Sequence, residues 1–220
     1  MANAGPSTPR RKDPLRHHHG ELRDALVDAA WNLVEEEGVE RLTLRRVARR
    51  VGVTPMAPYH HFADKASLVS AVARRGFEAL REAMSAAVAA EPSLLLKLRA
   101  MGVAYVVFAV QHPATFRLMF GAELANASAH PALAEAAART MELLVAGFRE
   151  TAASGAIADV NPRDAALTSW AALHGTATLL LAGQIGPVTE ENAVERALLV
   201  TRGLRDGLRS LRARSDAPRG

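Results

Sequence analysis

The residues best equipped for chemistry in this 220-residue chain make hydrogen bonds rather than covalent ones. The run Thr54-Pro55-Met56-Ala57-Pro58-Tyr59-His60-His61-Phe62 offers a hydroxyl at each end of an exposed face, an aromatic, two histidines and few charges. Such a set can grip phosphates and touch base edges if a helix carries it into a major groove. Bond-making chemistry is poorly provided for. There is no cysteine, which removes thiolate nucleophiles, disulfides and thiolate metal sites. No Walker loop, dinucleotide fingerprint or Gly-x-Ser-x-Gly elbow occurs. The carboxylates Glu35 to Glu37 and Glu190-Glu191 sit at helix ends, where they are most simply solvated charge. His17-His18-His19 is too short for an expression tag, and three adjacent side chains seldom converge on one metal. The expectation is a protein that is not an enzyme and holds no metal or cofactor.

Charge and composition locate the elements that must position these groups. Residues 1–75 hold 13 basic against 9 acidic side chains, whereas 76–220 hold 14 of each, so the net +4 sits in the first third. This is the footprint of a chain that meets nucleic acid with one end only. Apolar residues make up 49% and charged residues 23%, with only eleven prolines, pointing to a globular all-α protein. No apolar leader segment opens the sequence, and a cytoplasmic location is expected. The charge-free stretch between Asp164 and Glu190 is long enough to span a bilayer. Its hydroxyls, His174, Gln184 and Gly186-Pro187 favour a helix buried between protein layers instead.

Residues 1–16 read as a disordered basic arm, with Arg10-Arg11-Lys12 and Arg16 able to touch phosphates. From Glu21, the face Leu22, Leu26, Ala29, Ala30, Leu33 and Val34 predicts a helix stopped by Gly38. Thr43 can cap a second helix, Leu44 to Val51, ended by Gly52. Thr54 can cap a third, with Pro55 at its first position and Pro58 still tolerated near its fourth. A fourth helix is expected from near Lys65 toward Ala90. Three short helices with a glycine turn before the third match the helix-turn-helix scheme. Further helices are expected over Leu94–Gln111, through Phe116 to Phe120, from Pro131 to near Ser154, from Pro162 to around Gly183, and from the Thr189 cap onward. The Asn126–His130 region reads as a loop and 213–220 as a disordered tail. The domain boundaries expected are 17–67 for DNA binding and 68–212 for effector binding and dimerisation.

Gly38, Leu42-Thr43, Val47-Ala48, Val51-Gly52-Val53, Tyr59, His61-Phe62, Lys65 and Leu68 stand in an order and spacing that resembles the N-terminal domain of the TetR family of regulators. That resemblance implies phosphate and positioning contacts from Thr43, Thr54, Tyr59, His61 and Lys65. It implies that Arg45, Met56, Ala57 and His60 face base edges, Arg45 being able to read a guanine bidentately. His61 can equally be a packing residue, and Arg46, Arg49 and Arg50 a solvated face or generic contacts to the DNA backbone. Met56 and Pro58 depart from the pattern and leave the reading surface short of hydrogen-bonding groups. The resemblance further implies a homodimer on double-stranded DNA with a palindromic operator.

The second part of the chain carries Tyr105, Phe108, Phe116, Met119, Met141 and Phe148, side chains able to line a pocket for a small hydrophobic effector or simply to fill a core. Trp170-Ala171-Ala172-Leu173-His174-Gly175 resembles the Trp-His-Gly motif of one C-terminal domain type in the same family. Trp170 and His174 share a helix face. His174 would bond an effector or satisfy a buried partner, and Gly175 would admit a neighbouring helix. The resemblance places the dimer interface on the last two long helices. Ala165, Ala166, Ser169, Ala172, Thr176 and Gly183 are small enough for close contact there. The last helix has the stripe Val194, Ala197, Leu198, Thr201, Leu204, Leu208 and Leu211. A repressor released by its effector is the leading reading. A non-specific architectural DNA binder, an activator and a ligand-independent regulator are the alternatives.

Overall fold

The computed structural model describes residues 14–121 and 130–215 and contains no strand among them. Eight α-helices follow in order: α1 Pro14–Glu37, α2 Leu44–Val51, α3 Lys65–Ala89, α4 Leu94–Gln111, α5 Pro113–Met119, α6 Pro131–Ala153, α7 Pro162–Leu181 and α8 Glu190–Ser215. Two short 3₁₀ turns, Val39–Arg41 and Ala57–His60, flank α2. The fold is therefore all-α, as the composition and periodicity predict.

Local chemistry explains most boundaries. The Thr43 hydroxyl accepts the Arg46 N–H at 3.2 Å to open α2, and Gly52, left-handed at φ 80°, closes it. Asp64 opens α3 with a reciprocal capping box, accepting the Ser67 N–H at 2.8 Å while Ser67 Oγ accepts the Asp64 N–H. Ser93 caps α4, and Asn161 caps α7 just ahead of Pro162.

Three expectations need correction. The third helix does not form: Ala57–His60 is a 3₁₀ turn held by Ala57 N–H to Thr54 O and Tyr59 N–H to Met56 O. Pro55 and Pro58 supply no N–H, and a residue ahead of proline is pushed away from the α region, so an α-helical ladder cannot start. α1 begins at Pro14, inside the segment expected to be a disordered arm to Arg16. Proline is well suited to a first helical position. α8 runs to Ser215, past the expected start of the tail at 213. The remainder of the arm, residues 126–129 of the expected loop and the end of the tail lie outside the described residues, as do the side chains of His17, His18, His19, Arg209 and Leu211.

One continuous apolar core joins the halves. Leu26, Val34, Val47 and Phe62 pack with Leu68 and Val72 at the N-terminal end; Leu80, Val106, Phe116, Ala177 and Leu180 continue it. α3 packs against α1, α4, α5 and α6, and α4 against α3, α6, α7 and α8. α4 is long and apolar enough to cross a membrane by composition, yet it occupies this central position because neighbours cover it on several sides. The charge-free stretch forms α7, packed on α4, α6 and α8.

Candidate nucleic-acid interface and adjoining cavities

The N-terminal surface is assembled on α2 and the turn that follows. Val47, Ala48 and Leu44 anchor α2 in the core, while Arg45 and Arg49 lie exposed on its outer side. Arg46 pairs with Glu37, and Arg50 grips Glu36 through two bonds of 2.5 and 2.6 Å. These pairs hold both carboxyls below the usual carboxylate range and tie α2 to the end of α1. Arg46 and Arg50 are thus engaged in positioning, a role their surface pattern does not reveal.

In the turn, Thr54, Met56, Tyr59 and His60 are exposed, Met56 at 64%. Ala57 and His61 are half-buried, Pro58 is buried, and Phe62 is a core residue under the Arg23 guanidinium, 5.4 Å away. Lys65 is exposed at the start of α3, one of its N–H groups bonded to the Glu40 carbonyl. Thr43, Arg45, Thr54, Met56, Tyr59, His60 and Lys65 therefore share an accessible surface around α2 and the turn, with Ala57 and His61 set deeper. Thr43 uses an oxygen lone pair for capping, which leaves its O–H free to donate outward. A tight turn, not a helix, carries the residues expected to read bases.

Two connections run from this unit into the rest of the chain. α3 is continuous from Lys65 beside the turn to Phe77, Leu80 and Met84. The Glu35 carboxylate of α1 accepts the N–H groups of Ala114 (3.2 Å) and Thr115 (2.9 Å), capping the start of α5. Trp31 adds an edge contact to His112 at 5.1 Å between ring centroids. Glu35, expected to be solvated charge, is instead the polar joint between the two halves. Its sequence signal was only a carboxylate near a helix end.

Beside α3 lies a cavity of about 270 Å³ walled by Phe77, Leu80 and Met84 of α3, Tyr105 of α4 and Phe120. Ala137, Thr140, Met141 and Leu144 of α6 and Trp170 of α7 complete it. Nearly all of its surface is apolar. A second cavity, about 330 Å³, is lined by Phe116, Arg117, Phe120, His174 and Thr178, with Leu181 and Ala182. Of the expected pocket residues, Tyr105, Met141 and Trp170 line the first cavity, and Phe116 and His174 the second. Phe148 lines a different space that shares Leu144 with the first. Phe108 and Met119 are packing residues: Phe108 is buried against His112, and Met119 fills the gap over Gly76. Sequence reading missed Phe77, Leu80 and Met84, whose heptad-like apolar spacing looks the same as ordinary core.

The two cavities meet at a hydrogen-bonded aromatic cluster. Trp170 Nε1–H donates to the Tyr105 hydroxyl at 3.1 Å, and that hydroxyl lies 2.8 Å from His174 Nδ1. Trp170 can only donate, so the Tyr105 oxygen accepts from it. In the neutral imidazole tautomer with its proton on Nε2, the Tyr105 hydroxyl donates to Nδ1, which satisfies both groups. Burial lowers the His174 pKa, consistent with that form, and raises that of the Tyr105 phenol. His174 stacks on Phe116 at 5.5 Å and meets Phe120 edge-on at 4.6 Å. The Trp-His spacing thus serves an internal network, and His174 also lines the second cavity.

The outer faces of α7 and α8 carry exposed Leu167 (52%), Leu179 and Leu199 (60%). The small residues expected at a subunit interface are placed otherwise: Ala165, Ala166, Ser169 and Thr176 are buried within the chain, Ala172 is half-buried and Gly183 ends the helix in a turn. In the α8 stripe Ala197 is buried and Val194, Leu198, Thr201, Leu204 and Leu208 are half-buried, the last four lining a cavity against α4, α6 and α7. A Cβ at Gly175, Gly203 or Gly207 would meet nothing, so Gly175 has no intrachain helix against it. The long apolar pattern on each helix satisfied its own subunit's core, which is why it could not identify the outer face.

Comparison with known proteins agrees with this arrangement. Residues 26–72 match the model of bacterial regulatory proteins of the tetR family, and residues 98–201 match the tetracyclin repressor-like C-terminal domain. The HTH-type transcriptional regulator BetI of Rhizobium meliloti is 37% identical over 68 residues, 31% of this chain and 34% of that protein. The Escherichia coli tetracycline repressor protein class C is 43% identical over 51 residues, 23% of each. Nucleoid occlusion factor SlmA of Haemophilus ducreyi is 30% identical over 89 residues, 40% of this chain and 44% of its own length. The matches thus span less than half of these curated relatives. A solved Rhodococcus sp. RHA1 protein of unknown function covers 90% of this chain and all of its own, at 34% identity and TM-score 0.77. A TetR/AcrR-family regulator from Thermobifida fusca shares the fold at TM-score 0.64 and 22% identity, over 86% of this chain and 99% of its own. An N-terminal unit of α1, α2 and a tight turn mounted on a helical domain, with both parts matched in order to the family's two domains, makes this chain a member of the TetR family of DNA-binding transcription regulators.

Proposed function

We propose that the chain acts as a homodimeric repressor that binds a palindromic operator and is released from it by a small hydrophobic effector. The observation that carries this reading is α3: one uninterrupted helix that starts beside the reading turn and forms a wall of the 270 Å³ apolar cavity. A ligand that packs against Phe77, Leu80 and Met84 must act on the helix that carries Lys65. The cavity's near absence of polar surface selects an apolar body, with the Tyr105 and Trp170 edges as its few polar neighbours. Effector binding shifts an equilibrium only by its differential affinity for two arrangements of the reading heads.

In this reading Thr43, Thr54, Tyr59, His61 and Lys65 hold phosphates. Arg45, Met56, Ala57 and His60 approach bases, and Leu167, Leu179 and Leu199 meet their copies in a second subunit. The protein works in the cytoplasm. The relative named as a nucleoid occlusion factor supports a second reading, DNA binding without control of a promoter. Selection from a randomised duplex pool separates them. Two spaced inverted half-sites support the operator model; retention without a motif, fading steeply with salt, supports generic phosphate binding. Met141→Trp, which fills the cavity, should abolish effector release while leaving operator affinity within about threefold.

A further inference from the structure

A separate cavity of about 290 Å³ lies between α4, α6, α7 and α8, sharing Leu144 with the apolar cavity beside α3. Its origin is a pinch. A Cβ on Gly102 would meet Thr201 Cγ2 at 2.7 Å, and one on Gly147 would meet Met101 Cε at 2.7 Å. These two glycines bring α8 and α6 hard against α4 at one level. Beside this level the space lined by Ser93, Leu95 and Leu98 of the α4 end is left open as the cavity. The inner walls are Leu98, Leu144, Phe148, Ile157 and Leu173.

The mouth is different in kind. Arg99 of α4 and Arg202 and Arg205 of α8 all line it. Their neighbouring acids do not neutralise them fully. Arg99 reaches Glu91 only loosely at 3.9 Å, Arg205 holds Asp206, and Arg202 makes no ion pair among the described residues. The side chains of Arg99 and Arg205 are 44% and 41% exposed, so their charged ends stay at the water boundary, while the rest of the lining is mostly apolar with Ser93, Ser169 and Thr201 as its polar members.

We propose that this chamber is a second ligand site, distinct from the apolar cavity beside α3, and that it takes a free amphipathic anion: an unbranched apolar tail inside and a carboxylate-type head among the arginines. A guanidinium can bind such a head through two parallel hydrogen bonds. A neutral or cationic head of the same tail length has no comparable partner there. The site does not depend on the effector reading of the other cavity, because it is defined by different helices and by its own charges.

The test is calorimetric titration of the full chain with dodecanoate, kept below its aggregation threshold, alongside dodecanol and dodecyltrimethylammonium. Dodecanoate is expected to bind at least tenfold more tightly than either. Arg99→Glu with Arg202→Glu, both at exposed positions, is expected to weaken it at least tenfold with an unchanged thermal midpoint. Met141→Trp, which fills only the other cavity, is expected to leave dodecanoate affinity unchanged. No binding, equal binding of dodecanol, or indifference to the arginine changes overturns the proposal. Loss of dodecanoate binding in Met141→Trp overturns it as well, by showing that the tail occupies the cavity beside α3. Effector release from DNA is read separately, so failure of the operator model leaves this result interpretable.

Discussion

Tyr105→Phe removes one oxygen from the centre of the aromatic cluster and changes little else. Two hydrogen bonds disappear, from Trp170 Nε1–H and to His174 Nδ1. Each is worth about 1 kcal/mol net. Trp170 and His174 are only half-buried, so water can recover part of what each loses, and the larger penalty for sealed orphan groups does not apply. The expected destabilisation is therefore about 2 kcal/mol, which for a chain of this length lowers the thermal midpoint by roughly 4–8 °C. The midpoint must be compared at one protein concentration, since the proposed subunit association would contribute to it. Trp31 and Trp170 are the only tryptophans. In a Trp31→Phe background Trp170 fluorescence reports the cluster directly and should shift on removal of the hydroxyl. A double-mutant cycle with His174→Phe isolates the pair, with a coupling of at least about 0.5 kcal/mol expected. A midpoint unchanged within a degree, with an unshifted Trp170 spectrum, would refute the bridging role of the hydroxyl.

Four further outcomes follow from the same geometry. Thr115 is fully buried with its hydroxyl unpartnered, so Thr115→Val should raise stability by about 1 kcal/mol, measured by chemical denaturation. Glu35→Ala strips the cap from α5, and should cost about 1–2 kcal/mol while weakening any effector's control over DNA affinity in a gel-shift titration. His174 has a lowered folded-state pKa, so its contribution is fully present above the ordinary histidine pKa and is lost as pH falls from there toward the folded value. Denaturation midpoints between pH 7.5 and 5.5 should show this loss, and His174→Gln should remove it. Lys65→Ala should weaken binding to all duplex sequences alike and make the salt slope shallower by about one, the share of a single phosphate, read by fluorescence anisotropy.

The helical boundaries were legible because short-range chemistry sets them. Thr43, Gly52, Pro113, Pro131 and Asn161-Pro162 act within one turn of themselves, and the structure puts helix ends at each. The reading turn was less legible because two weak local effects, the prolines at 55 and 58, compete with a helix-turn-helix pattern and win together. The cavity was only half visible. Tyr105, Met141 and Trp170 stood out as large side chains, but Phe77 and Leu80 look like core until the neighbouring helices are placed. Glu35 was invisible for a related reason: its partners lie 79 and 80 residues away, and nothing local records them. Ala165, Ala166, Ser169 and Thr176 of α7 read as interface residues and are buried in the chain's own core, because burial within a subunit and burial between subunits favour the same residue types.

The unbroken span of α3 has a mechanical consequence. From Phe77 at the cavity wall to Lys65 beside the turn is twelve residues, or about 18 Å of rigid helix. A tilt of about 5° at the wall swings the far end by roughly 1.6 Å, enough to spoil hydrogen-bond geometry without melting any element. Amplitude is set by the lever's length and not by the ligand's chemistry. Thr140 donates to the Phe77 carbonyl at 3.2 Å, whereas the walls Ala137, Met141 and Trp170, contributed by α6 and α7, are off the lever. Under the proposed effector model, substitutions there would retune which molecule pushes while the reading turn keeps its sequence, leaving sensing and reading to diversify along separate lines.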